Sequence, residues 1–272
     1  MCSNTARQIR PVALLGLFAL SAATRGLLLY YRLAIQRVDI MRLGGSDVPG
    51  WVGMASHLSA QFDLSYWLMG ARPPLFPLTV ALVYRLGGSI YHAAIMQTLF
   101  GALTPVVGCL LAQRLLRELP GTGWWARPAA WAGLIMAVDL ASVSASGTLL
   151  AEALFYWLFT ACLLSLTIFV QDGNHWHLAL SALWLALSML TRPTTIFFWI
   201  VIPLMLIPLT PHWRRAALVI GTTGLVVYLG WSARNLYYQN TFTYSLQSNF
   251  SLLFLRALSA EHLATGADTD EL

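Results

Sequence analysis

Apolar segments of bilayer-spanning length dominate this chain and limit what it can fold into. Of its 272 residues, 58% are hydrophobic and only 10% are charged, whereas a soluble domain carries roughly 25% charged residues. So few polar groups cannot cover a water-soluble globule of this size. Because backbone groups in lipid need internal hydrogen bonds, apolar spans of this kind are helices. The sequence therefore predicts an all-α, polytopic transmembrane helical bundle.

About seven segments approach the roughly 20 apolar residues that cross a bilayer. They cover residues 11–31, 90–112, 128–146, 153–170, 176–190, 194–209 and 216–232. A further apolar segment, 74–86, is short for a crossing and suits a re-entrant or interfacial helix. Arg7 and Arg10 precede the first span, which we interpret as an uncleaved signal anchor.

Polar residues are concentrated in the loop after the first span, at residues 39–77. This loop contains three of the eleven acidic residues, Asp39, Asp47 and Asp63. Residues 48–61 are predicted to form an amphipathic helix on the membrane surface, with Trp51 as an interface anchor. We therefore expect juxtamembrane helices in this first loop.

The basic residues, all sixteen of which are arginine, predict the orientation. Suppose that the short apolar segment does not cross and that the N-terminus is cytoplasmic. Then Arg114, Arg117 and Arg127 fall in one cytoplasmic loop, and Arg214 and Arg215 in another. Short cytoplasmic loops are enriched in basic residues. This topology predicts a multi-pass protein of the cytoplasmic (inner) membrane whose first loop is extracytoplasmic.

The same topology brings five isolated charged residues to one face of the membrane. Asp47, Arg72, Glu152, Arg192 and Arg234 each lie in the first loop or at the outer end of a span. If the short apolar segment did cross, the last three would move to the face opposite Asp47. Convergence of these charges favours the non-crossing topology.

Asp47, in the motif GGSDVPGW, has two interpretations. The glycines around it let the backbone approach a ligand closely, and the carboxylate could act as a general base toward a hydroxyl or amine. Alternatively, Asp47 caps the helix that follows. Asp39 and Asp63 carry the same alternatives in less distinctive surroundings.

The remaining charged residues at this face also have two interpretations. A guanidinium binds phosphate through two hydrogen bonds, so these arginines are candidate phosphate ligands. The alternative is an arginine that extends from a span end to the interface. Glu152 is either a site residue or an acid favoured by a helix N-terminus. The candidate phosphate ligands are Arg72, Arg192 and Arg234, the last with its neighbour Asn235.

Asp139 lies near the middle of a predicted span, where an ionisable group needs a partner. Arg25 in the first span is the obvious basic candidate. The six histidines show no metal-ligand spacing, and the three cysteines form neither a disulfide framework nor a metal site. We therefore predict no metal and no other cofactor.

Five motifs occur in an order that resembles the GT-C superfamily of polytopic glycosyltransferases. The closest resemblance is to the branch related to protein O-mannosyltransferases (family 39) and to lipid A aminoarabinose transferase. It extends over roughly residues 11–256, so we expect a GT-C-like module at 1–256 and a polar tail at 257–272. The motifs are the Asp47 loop, ARPPLFPLTVALVYRLGG at 71–88, LLAEALFYWLF at 149–159, LALSMLTRPTT at 185–195 and GWSARNLYYQNTFTYSLQSN at 230–249.

The resemblance implies an inverting transfer of a sugar from a polyprenyl-phosphate-linked donor to a lipid, glycan or protein acceptor at the outer face. Asp47 would be the catalytic carboxylate of the first loop, and Glu152 the second acidic residue of the site. The base would activate the acceptor, and the basic groups would stabilise the departing lipid phosphate. Arg192 would contact that phosphate, and further substrate-binding residues lie in matching motifs, namely Arg72, Arg234 and Asn235.

The chain departs from this family in two respects. Some relatives have a second acidic residue beside the first-loop aspartate, whereas Ser46 and Val48 flank Asp47 here, which lowers the expectation of a bound metal. Family members also continue with further spans and often a soluble C-terminal domain. The polar tail is therefore an expected truncation point, and a partner subunit is expected if the chain is complete.

Two other classes of function are consistent with the sequence. A transporter or flippase of an amphiphilic substrate would use Asp139 and Arg25 as pathway residues, although no inverted repeat is visible. A non-catalytic membrane subunit would account for the absent C-terminal part. Nucleic-acid binding is excluded because the arginines are scattered at span ends, where membrane lipids are the expected partners.

Overall fold

Helices are the only regular elements in the residues that the computed structural model describes, which are 9–43, 47–66, 72–116 and 128–245. A π-helical turn, Tyr31–Ile35, continues the first helix, and 3₁₀ turns occur at Ile40–Arg42 and Pro193–Thr195. The α-helices are α1 (Pro11–Tyr30), α2 (Asp47–Gln61), α3 (Leu75–Arg85), α4 (Ile90–Leu115), α5 (Pro128–Val138), α6 (Leu140–Ser146), α7 (Glu152–Asp172), α8 (His175–Met189), α9 (Phe198–Leu206) and α10 (Trp213–Gln239).

Within the described ranges, four helical segments are long and apolar enough to cross a membrane, namely Pro11–Ile35, α4, α7 and α10. Helices α5 and α6 make a fifth if they are one span, which bends by 52° at its break. The predicted all-α bundle is therefore confirmed, with four or five candidate membrane spans among the described residues. Helix α8 has 15 residues, or about 22 Å at 1.5 Å per residue, and Pro193–Leu206 is also short. The count of seven spans stays a prediction.

Side-chain contacts identify the two ends of the bundle. At one end, Arg114 at the end of α4 pairs with Asp172 at the end of α7 through a 2.8 Å contact. At the other end, Glu152 at the start of α7 pairs with Arg192, which follows α8. Helices α7 and α8 therefore run in opposite directions, as the predicted topology requires.

The first loop folds into two helices that pack on the bundle and on each other. Trp51 of α2 contacts Phe76 of α3 edge-on, with ring centroids 5.2 Å apart. Helix α3 has 11 residues, or about 17 Å, against a hydrocarbon core of about 30 Å. Its first residue, Leu75, donates a backbone hydrogen bond to the Leu190 carbonyl. This geometry agrees with a segment that does not cross the membrane.

The prediction that residues 48–61 lie on the membrane surface needs a correction. The segment is helical, but its apolar face is buried in protein: Val48, Met54, Ala55 and Leu58 are fully inaccessible. These residues recur at helical spacing and join the main hydrophobic core. The amphipathic pattern therefore reports packing against α3 and the bundle. Trp51 is also buried in this packing.

Arg25 is the largest of the fully buried side chains of the described structure. Its guanidinium donates to the hydroxyls of Ser21, Ser142 and Ser146 at 2.6, 2.8 and 3.1 Å. It also donates to the carbonyl of Ala137 at the end of α5. A buried charge is costly unless it is fully hydrogen-bonded, and Arg25 meets this condition with neutral oxygen atoms. The side chain thereby joins α1 to both halves of the bent pair.

Asp139 lies at the break between α5 and α6, and its role differs from the predicted ion pair. Its carboxylate accepts a 2.7 Å hydrogen bond from the backbone of Ser142 and caps α6. Arg25 lies at the same break but bonds to hydroxyl and carbonyl groups rather than to this carboxylate. The cation and the anion therefore each satisfy one of the two helix ends that the break creates.

Gly101 of α4 permits the close approach of α4 to this network. A Cβ atom at this position would overlap the hydroxyl and Cβ of Ser146 and would meet Arg25 Nε at 3.0 Å. The absence of a side chain therefore lets three helices meet around one buried cation.

Replacement of Arg25 by methionine is expected to lower the free energy of unfolding by about 3 kcal/mol or more, because several buried oxygen atoms lose a charged donor. Unfolding by titration with a denaturing detergent measures this change. Arg10 is exposed, so Arg10→Met is the matched control, with an expected change below about 0.5 kcal/mol. Equal effects of the two substitutions would contradict the role given to Arg25.

Candidate functional site

A cavity of about 260 Å³ lies where α2 and α7 begin and α8 ends. Four segments that are distant in sequence line it, and each contributes one charged side chain. The segment 241–245 after α10 adds Ser245. The charged lining residues are Asp47, Arg72, Glu152 and Arg192.

Asp47 and Arg72 form the first of two ion pairs in this cavity. Arg72 Nη2 lies 2.5 Å from Asp47 Oδ1, and Nη1 donates to the Asp47 carbonyl at 3.0 Å. The Asp47 side chain is 49% exposed, whereas that of Arg72 is only 13% exposed. The carboxylate therefore faces the cavity and solvent, and the guanidinium holds it from the protein side.

Trp51 and Phe76 support the Arg72 side chain. The guanidinium carbon lies 4.8 Å from the centroid of the Trp51 ring, in a cation–π contact. Because Phe76 is fully buried and packs against Trp51, the aromatic surface below the arginine is fixed. Trp51, predicted as an interface anchor, instead contacts Arg72.

Glu152 and Arg192 form the second ion pair, with 2.5 Å between Oε1 and Nη1. Their side chains are 23% and 34% exposed. Glu152 lies in the first turn of α7, where the helix dipole also favours an acid. Glu152 therefore lies both at a helix N-terminus and in the cavity, and its role as a site residue stays a prediction.

The charges of the cavity sum to zero, yet both arginines keep donors for a ligand. A guanidinium has five N–H donors. Among the described residues, Arg192 makes one hydrogen bond, to Glu152, and Arg72 uses two of its nitrogen atoms, both toward Asp47. The remaining N–H groups can bind an anion while the carboxylates stay in the cavity.

The other two acids of the first loop have local structural roles. Asp39 accepts a hydrogen bond from the backbone of Met41 and caps a 3₁₀ turn. Hydrogen bonds from the side chain and backbone of Ser65, and from His57, lower the pKa of Asp63 to about 2. Neither carboxylate lines the cavity. The geometry therefore distinguishes Asp47 from its two neighbours.

Arg234 lies at the same end of the bundle but does not line the cavity. It donates to the carbonyls of Leu64 and Tyr66 in the first loop. Its guanidinium carbon also lies 5.2 Å from the ring centroids of Trp231 and Tyr238. These contacts tie the first loop to α10. A role of Arg234 in phosphate binding stays a prediction.

Asn235 is fully buried and holds the segment that follows α10. Its Nδ2 donates to the carbonyls of Thr243 and Tyr244 at 2.8 and 3.3 Å. The next residue is Ser245, which lines the cavity. Asn235 therefore lies behind a lining residue, and its contact with a substrate stays a prediction.

Several residues around the cavity were not singled out by the sequence. Thr191 and Thr194 belong to the motif LTRPTT around Arg192 and line the cavity. Their position in this motif could have identified them. Gln97 of α4 donates a hydrogen bond to Leu150 in the cavity wall. In the sequence it is marked only as a single amide side chain within an apolar span.

No group of three or more histidine, cysteine, aspartate or glutamate residues that could hold a metal ion occurs within the described ranges. Comparison of the chain with known protein families, with curated proteins and with solved structures found no match. The chemistry of the cavity is therefore interpreted from its own residues. Within this small space, a carboxylate can accept a proton from a ligand, and the two guanidinium groups can bind an anion.

The Glu152–Arg192 pair is expected to contribute about 1 kcal/mol of coupling energy, the value for a partly exposed ion pair. A double-mutant cycle with Glu152→Gln and Arg192→Gln isolates this energy, because both changes remove a charge and keep a polar side chain. Detergent-induced unfolding of the four proteins is the measurement. If the two single changes add to within about 0.3 kcal/mol, the pair does not exist as described.

Proposed function

We propose that this chain is a membrane glycosyltransferase that moves a sugar from a polyprenyl-phosphate-linked donor to an acceptor. One observation carries the proposal, which is the meeting of Asp47, Arg72, Glu152 and Arg192 in one cavity at the end of an apolar bundle. A lipid-linked donor needs a bundle beside its polyprenyl chain and a polar site at the membrane boundary. The cavity and the helices together meet these two requirements.

The cavity residues suit the two halves of the reaction. Asp47, with its exposed carboxylate, would accept the proton of an acceptor hydroxyl or amine as that group attacks the sugar. The bond between the sugar and the lipid phosphate would break, and the phosphate would leave with the bonding electrons. Arg72 and Arg192 would stabilise that negative charge with their remaining N–H donors.

Glu152 would have a supporting role in this scheme. It holds Arg192 through the 2.5 Å contact and offers a second carboxylate to hydroxyl groups of the sugar. Arg234 and Asn235 would act from behind the cavity, since they fix the first loop and the segment before Ser245. The acceptor would approach on the side where Asp47 is exposed.

The same proposal includes the orientation. The site would face the extracytoplasmic side of the inner membrane, with α8 and Pro193–Leu206 completing a bundle of about seven spans. Arg114 and Arg215 lie at the end of the bundle opposite the cavity, which supports a cytoplasmic location for that end by the distribution of basic residues.

A transporter of an amphiphilic anion is the second candidate, and the broken α5–α6 pair favours it. Against it, Arg25 at the break is enclosed by oxygen atoms of the protein and leaves little capacity for a moving substrate. Purified protein in vesicles distinguishes the two functions. A transporter moves the labelled donor across the bilayer without cleaving the bond to the sugar.

Replacement of Asp47 by asparagine is expected to reduce sugar transfer by about 10²-fold or more, because the amide cannot accept the proton. Transfer is measured in membranes supplied with radiolabelled polyprenyl-phosphate sugars. The matched control is Asp39→Asn, since Asp39 belongs to the same loop but only caps a turn, a role that asparagine also performs.

Three outcomes are distinct in this experiment. Loss of transfer with Asp47→Asn alone supports the proposed base. Normal transfer by a correctly inserted Asp47→Asn protein excludes Asp47 as the base. No transfer by the unmodified protein with any donor excludes the enzyme assignment for this chain and favours a transporter or a non-catalytic subunit.

A further inference from the structure

The wall of the cavity beside Glu152 is a short non-helical segment, residues 147–151, between α6 and α7. Leu150 and Ala151 line the cavity, and Glu152 follows them directly. A segment without helical hydrogen bonds of its own needs other contacts to hold it in place. The position of the Glu152 carboxylate therefore depends on what holds this wall.

Gln97 holds the wall from behind. Its side chain on α4 is fully buried, and its Nε2 donates a 2.7 Å hydrogen bond to the carbonyl of Leu150. This carbonyl is two residues before Glu152. The bond links the membrane-spanning helix α4 to the point at which α7 begins.

The Gln97 amide is not explained by packing alone. Its Oε1 is buried and has no hydrogen-bond partner in the described structure, and an unpaired buried acceptor destabilises a fold. A methionine of similar length would avoid this cost. The amide, unlike methionine, can donate a hydrogen bond to the Leu150 carbonyl.

Leu149 and Leu150 of the wall also pack in the hydrophobic core, and other polar contacts restrain its α6 end. Arg32 donates to the hydroxyl of Ser144 at 2.9 Å and to the carbonyl of Gly147 at 3.5 Å. Arg25 holds the hydroxyl of Ser146. These arginines of the first helical segment restrain the α6 side, and Gln97 restrains the α7 side, where the proposed site residue lies.

We propose that Gln97 is a positioning residue, which holds the 147–151 wall so that Glu152 stays against Arg192. It touches neither of these side chains and acts through the Leu150 backbone. That Gln97 restrains the wall follows from its hydrogen bond to Leu150. Only the effect of this restraint on catalysis rests on the proposed function. The two are therefore tested separately.

The first measurement is the rate at which a water-soluble methanethiosulfonate modifies a cysteine placed at Ala151, a lining residue that is only 3% exposed. Cys2 is replaced by serine, and Cys109 and Cys162 are buried. With Gln97→Met, the Ala151→Cys thiol is expected to react about tenfold faster, the effect of losing one hydrogen bond.

Thr98→Val is the matched control for this measurement. Thr98 is the next residue on α4 and is buried, and among the described residues its side chain bonds only to the Ala94 carbonyl of its own helix. The labelling rate with this variant should stay within about twofold of the parent. If Gln97→Met does not yield folded protein, Gln97→Leu replaces it, because a leucine side chain also lacks the donor. Equal labelling rates with Gln97 and with the donor-free variant would overturn the proposal.

The second measurement compares sugar transfer by Gln97→Met and by the parent protein. The turnover number kcat is expected to fall about tenfold or more, because Glu152 is displaced. The KM for the donor is expected to change less than about threefold, since both arginines remain. Faster labelling without transfer by the parent protein refutes the proposed function alone. Unchanged kcat in an active protein refutes the catalytic effect of Gln97 alone.

Discussion

A charged group inside an apolar bundle must be surrounded by oxygen atoms, and Arg25 shows how this chain meets that constraint. Its guanidinium bonds to hydroxyls of α1 and α6 and to carbonyls at the end of α5, where the span is broken. Gly101 lets α4 approach the same point. Helix α6 begins at this break and is followed by residues 147–151, which lead directly to Glu152. The buried cation thereby connects the packing of the spans to the geometry of the cavity.

The cavity follows the same rule at the boundary of the bundle, where water is available. Asp47 with Arg72, and Glu152 with Arg192, pair charges of opposite sign from segments far apart in sequence. Both pairs are partly exposed, so their contribution to stability is small. The proposed function gives this arrangement a role, since it needs a base and anion-binding groups within one space, next to helices that a lipid chain could contact.

The sequence was sufficient to predict the helical bundle with apolar spans and the four charged residues that share the cavity. Apolar length and isolated charges are strong signals, because lipid permits so few alternatives. The partners of individual side chains were not predictable. An amphipathic pattern at 48–61 fits lipid or protein equally well, and Arg25 could satisfy its charge with Asp139 or with neutral oxygen atoms. Gln97 and Arg234 bond to backbone carbonyls. Because every residue has a carbonyl, no sequence motif indicates which one is the partner.

Photo-cross-linking with a polyprenyl phosphate analogue tests the central claim most directly, which is that the four charged residues form one anion-binding site. The photoreactive group is placed beside the phosphate, and mass spectrometry maps the modified peptides. The account predicts adducts at residues 47–51, 72–73, 150–152 and 191–194, all of them reduced by excess unlabelled lipid phosphate. Adducts confined to the opposite end of the bundle, around Arg114, His175 and Arg215, would contradict it.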